Sequence, residues 1–134
     1  MILRLLFGTL LLCTTALARA SDCYYYWTHQ CVEVIDASKR QLRQSVLISP
    51  SVNYLHSDEA SCEITAEARQ HPLMAQLLEA FNASAGKIRG CDTPLTDITL
   101  KVFDNPQKAT WHYDRAIRPS ESKTVIPVDN LPFL

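Results

Sequence analysis

Four histidines, His29, His56, His71 and His112, are the side chains with the broadest chemical repertoire in the chain. No two stand four apart, as a helical metal pair requires, and HExxH is absent. His56 with Asp58 and Glu59 could gather a cation. Both acids, however, also suit the first turn of a helix, where the dipole favours negative charge. His112 and Asp114 would share one face of a strand and could do general acid–base work. Strand alternation equally makes them the wet face opposite Trp111 and Tyr113. There is no G-x-S-x-G nucleophile elbow, and with only three glycines no phosphate-cradling loop. The expectation is no catalytic residue, no metal and no cofactor.

The aromatic residues suggest binding instead. Tyr24, Tyr25, Tyr26 and Trp27 are consecutive, and Trp111 and Tyr113 follow later. Four adjacent aromatics on an extended chain cannot all point inward. Tyr and Trp are concentrated at interface hot spots, and they also stack on sugars or simply fill cores. These six residues are the candidate binding patch.

Residues 1–20 read as a cleavable secretory signal. Arg4 precedes an uncharged run over 5–17, and Ala18 and Ala20 give the A-x-A spacing of a cleavage site. That apolar run of about 13 residues is shorter than the ~18–20 needed to span a bilayer. Lipidation is disfavoured because Leu12 and Asp22, not small residues, precede Cys13 and Cys23. Residues 21–134 are therefore expected to be one small soluble domain, periplasmic or secreted, without a stable membrane anchor. Losing Arg4 and Arg19 moves the formal charge from −1 to −3, which gives no field to attract nucleic acid.

Once Cys13 leaves with the leader, Cys23, Cys31, Cys62 and Cys91 remain. An even count in a small exported domain reads as two disulfides. Zinc would need close C-x2-C pairs, and the intervals here are seven, thirty and twenty-eight residues. Local closure favours Cys23 with Cys31 and Cys62 with Cys91. The second pair needs a chain that doubles back. One straight helix from Cys62 to Ala85 would rise about 35 Å, whereas the six residues back to Cys91 reach about 21 Å.

The elements follow from periodicity. Residues 23–35 fit either an extended start or a helical stripe. A helix capped by Asp36 is expected over 37–47, ending at Pro50. A helical stretch over 57–86 is capped by Ser57 and carries the stripe Leu73, Leu77, Phe81; a break at His71-Pro72 is expected within it. Alternation at Ile98, Leu100 and Val102, turn residues at 104–107 and β-formers at 110–113 predict a hairpin. Residues 125–128 suggest a short edge strand because of Pro127. The last residues, 130–134, are expected loose or packed by Phe133. The fold expected is α+β: two or three helices on a small antiparallel sheet containing a C-terminal hairpin, stapled by disulfides. Asn82-Ala83-Ser84 matches a glycosylation acceptor.

Exported, stapled, aromatic-rich and without a catalytic motif, such a chain is expected to bind another protein. An inhibitor or immunity factor acting on a toxin or hydrolase in the periplasm fits. The alternatives are a small secreted enzyme using His112 with an acid, and a structural or accessory envelope protein.

Overall fold

The computed structural model describes residues 20–134, so the expected signal peptide, apart from Ala20, lies outside the described residues. The first element, β1 (Ser21–Asp36), is a sixteen-residue strand and the axis of the fold. It is followed by β2 (Gln41–Ile48), β3 (Asn53–Ser57), α1 (Cys62–Gln70), a 3-10 turn (His71–Leu73) and α2 (Met74–Ala85). Then come β4 (Thr99–Phe103), α3 (Pro106–Ala116) and β5 (Lys123–Pro127).

Beta1 has antiparallel partners on both edges. Residues 24 and 25 pair with β3 and with β4, and Thr28 pairs with both Ile48 and Thr99. Beta2 and β3 therefore run one after the other along one edge, and β4 lies on the opposite edge. Beta5 is added outside β2 in parallel register, from Gln44↔Lys123 to Ile48↔Pro127. The sheet is thus five-stranded and mixed, not purely antiparallel. The fold is α+β with two disulfides.

Alternation along β1 sends successive side chains to different layers. Cys23, Tyr25, Trp27 and Cys31 enter the main core, with Leu47 and Leu55 from the neighbouring strands and Leu77, Phe81 and Ala85 from α2. Tyr26 faces the other way, into a smaller core with Val46 and Ile48, against which Tyr113 and Ile117 at the α3 end are packed. The main core covers one face of the sheet over much of its length, and the smaller core covers part of the other.

Other sequence expectations change for identifiable reasons. The helix over 37–47 is instead a turn leading into β2. Asp36 Oδ1 accepts the N–H groups of Ser38 (3.0 Å) and Lys39 (3.3 Å), and Arg40 adopts a left-handed φ of 53°. That is an Asx-type hairpin turn rather than a helix cap. The residues 45–48 are all buried because β2 has cover on both faces, which hides its period of two.

The C-terminal hairpin is absent: β4 is followed by α3. Asn105 Oδ1 accepts from Gln107 N (2.8 Å) and Lys108 N (3.1 Å), and Pro106 occupies the first helical turn. Asn-Pro here is an N-cap followed by N1.

The disulfides are Cys23–Cys62 and Cys31–Cys91, with Cα separations of 5.7 and 4.9 Å. Cys23 and Cys31 lie on one continuous strand, where eight steps span about 27 Å and forbid a bridge. Gly90 makes the second bridge possible. Its φ is +84°, and a side chain there would strike the backbone of Glu33 at 2.8 Å, so the loop can settle onto β1 only with glycine.

The chain does break at His71-Pro72, where the 3-10 turn separates α1 from α2. The cap of α1 is Ser61, which accepts from Ile64 N, while Ser57 instead accepts from Glu59 N within a turn. At the other end of the chain, Leu131 and Leu134 pack on the main core and Leu134 N–H donates to the Tyr25 hydroxyl (2.9 Å). The tail is thus neither loose nor packed by Phe133, which is 77% exposed. No helix among the described residues is long and apolar enough to cross a membrane.

Candidate binding surface

The six aromatic residues proposed as a patch are divided by the pleat of β1. Tyr25 and Trp27 are fully buried in the main core, where their rings meet edge to face at 5.1 Å. The Trp27 Nε1 is buried there without a hydrogen-bond partner. Tyr26 is buried in the smaller core. Tyr113 is half-buried, its ring edge-on to Tyr26 at 5.3 Å and its hydroxyl donating to Ser49 O at 2.7 Å. Of the six, Trp111 is exposed and Tyr24, like Tyr113, is half-buried.

Tyr24 and Trp111 belong to a longer belt across the α3 side of the sheet. Tyr54 on β3, 56% exposed, meets Tyr24 edge to face at 5.9 Å. Tyr24 is the cross-strand neighbour of Phe103. Phe103 stacks on His112 at 5.0 Å, and His112 meets Trp111 edge to face at 4.8 Å. Arg115 closes the series, its Cζ 4.5 Å above the indole of Trp111, which is 54% exposed. Tyr24 with Tyr54 and Phe103 with His112 are ring contacts between different elements, whereas Trp111 is flanked by His112 and Arg115 of its own helix. The belt ends are also fixed. The Tyr54 hydroxyl donates to Asp22 Oδ1 at 2.6 Å, and this bond raises its pKa above the usual tyrosine value.

Tyr54, Phe103, His112 and Arg115 were not among the six sequence candidates. Trp111 and Arg115 stand four apart, a spacing that places them together only on a helix. Reading 110–113 as a strand concealed it. Tyr54 left no signal beyond its own type.

The candidate His112 and Asp114 pair does not form. His112 and Asp114 lie two residues apart on α3, about 200° around the helix, and so face away from each other. His56 sits between two carboxylates, Nδ1 3.7 Å from Asp22 and Nε2 3.4 Å from Asp58, all on open surface. Asp22 rather than Glu59 completes that cluster. Among the described residues, no three His, Cys, Asp or Glu side chains are placed to hold a metal ion.

Beside the belt the sheet forms a groove of about 340 Å³, where Thr28, Gln30, Gln44, Lys101 and Lys123 mix with Val46. The Lys123 Nζ donates to Arg115 O at 3.3 Å, tying the groove wall to the end of α3. Asn82, the expected glycosylation acceptor, accepts from Leu95 N at 2.6 Å, so its carboxamide is engaged in holding the 91–98 loop.

No family model, curated protein or solved structure matches the chain.

Proposed function

We propose that this chain is a small exported binding protein that docks another protein through the belt running from Tyr54 to Arg115. The reading of an inhibitor or immunity factor, acting on a toxin or hydrolase in the periplasm, fits that role. The observation that carries it is a run of exposed and half-buried aromatic rings ending in an arginine stacked on Trp111. Trp, Tyr and Arg are the residue types that dominate binding energy when an interface closes over them. Two disulfides support an oxidising compartment and stiffen the scaffold beneath the belt. His112 and Asp114 face away from each other on α3, which makes the binding reading better supported than the reading as an enzyme.

The test is capture from an envelope extract, followed by binding of the purified partner. A one-to-one complex is expected, and Trp111→Ala should weaken it by about thirtyfold, a hot-spot loss of ~2 kcal/mol. Thermal stability of that variant should be unchanged. Failure to recover any stoichiometric partner, or binding by Trp111→Ala and Tyr54→Ala as tight as that of the parent chain, overturns the proposal.

A further inference from the structure

The far end of the β1–β2 hairpin carries a second surface, independent of the belt. Beta5 accompanies β2 only from Gln44 onward. Just before it the chain turns sharply: Ser120 N donates to Lys123 O, and Lys123 N to Ser120 O, both at 3.2 Å. The turn carries the chain away from β2 and leaves Gln41, Leu42 and Arg43 with a strand on one side alone. Gln44 N–H points toward the β5 side, donating to Ser122 O at 2.7 Å. By alternation, the N–H and C=O of Leu42 point the same way, onto an open edge.

A cavity of about 530 Å³ lies against that edge. Arg40, Arg43 and Lys123 line it, with Glu121 as the sole acid. Among the described residues, none of the three cations has a carboxylate within 4.0 Å. Leu42 and Ile35, 46% and 51% exposed, provide an apolar floor. A sheet edge without a neighbour is normally blunted by charge or covered. Here the charge is predominantly positive, three cations to one acid, and borders a concave space.

We infer that this edge accepts an extended acidic segment of a partner protein, added to the sheet beside Leu42 as a continuation of the line of β5. Backbone hydrogen bonds at Leu42 supply the anchor, Arg40 and Arg43 select carboxylates, and Leu42 with Ile35 takes an apolar side chain between them. A second copy of this chain is the poorer occupant. Antiparallel pairing of two such edges would set the Arg40 and Arg43 of both copies together.

The experiment uses the disulfide-bonded chain lacking the leader and a dye-labelled peptide of about eight residues, alternating Glu and Val, with a Lys and Val peptide as control. Saturable binding of the acidic peptide alone is expected. It should weaken at least about tenfold on raising salt from about 50 to about 500 mM, and about as much in Arg40→Glu/Arg43→Glu. Amide exchange at Leu42 should slow when the peptide binds. Trp111→Ala should bind the peptide normally, which separates this edge from the belt. The inference is overturned if neither peptide binds or both bind equally. It is equally overturned if Leu42 exchange is unaffected, or if sedimentation shows that the chain covers this edge with its own copy.

Discussion

The two faces of β1 are built from interleaved residues of one segment, yet they differ in nearly every physical respect. On the inner face Cys23, Tyr25, Trp27 and Cys31 are sealed under α1 and α2, and both disulfides leave from it. On the outer face Tyr24, Gln30, Val32 and Val34 share a side with Tyr26, and of these only Tyr26 is fully covered, by α3. Val34 remains 61% exposed. Stability is concentrated on one side of a single strand, which frees the other side to present rings and charges. A chain of this size has little core to spare, so covalent bridges and dense packing on one face permit apolar exposure on the other.

The most direct way to break this comparison is to truncate one tryptophan from each face. Trp27→Ala empties a fully buried site among Tyr25, Leu47 and α2 residues and should cost about 3–5 kcal/mol by urea denaturation. Trp111→Ala should change stability by less than about 0.5 kcal/mol. Equal losses would mean that α3 is part of the stabilising core.

The disulfides come next. Replacing either pair by alanines should cost about 2–4 kcal/mol, chiefly by releasing the unfolded chain from closed loops with sequence separations of 39 and 60. The near-ultraviolet signature of Trp111 should persist in both variants below their transitions. Removing Cys31–Cys91 should also speed amide exchange through the 91–98 loop, whereas removing Cys23–Cys62 should not. If the two double variants loosen the same amides, the bridges do not act on separate parts of the inner face.

These contrasts were only partly legible in the sequence. The even cysteine count and the break at Pro72 were readable, because each rests on local chemistry that folding leaves intact. The pairing of the cysteines was not, since it depended on whether 23–35 is a strand, and aromatic residues at spacings of three and four imitate a helix. Two short signals were present and misread. Asp36 looked like a helix cap, yet the same carboxylate closes a hairpin turn; Asn105-Pro106 looked like a turn, yet the same dipeptide starts α3. In each case the local motif serves two structures, and tertiary cover decides. The belt was hidden for a related reason: its members lie on β1, β3, β4 and α3, and only the sheet register brings them together.

The smallest effect probes how α3 is fastened to the sheet. The Tyr113 hydroxyl donates to Ser49 O, at the point where β2 leaves β1. Tyr113→Phe removes that bond and should cost about 1 kcal/mol. The same residue predicts an alkaline response. Burial first, and the negative charge of Asp114 second, raise the Tyr113 pKa above 10.0. Burial likewise raises Tyr26, and raises Tyr25 although its bond from Leu134 N–H works in the opposite direction. The fold therefore favours the neutral phenols. Their contribution is complete below the unfolded value near pH 10 and is lost as pH rises through the higher folded values. Urea midpoints at about pH 9 and about pH 11 should consequently fall, and fall less in Tyr113→Phe than in the parent chain. An undiminished fall in the variant would assign the alkaline sensitivity to Tyr25, Tyr26 and Tyr54, and would leave α3 held to the sheet by ring packing rather than by the Tyr113 hydroxyl.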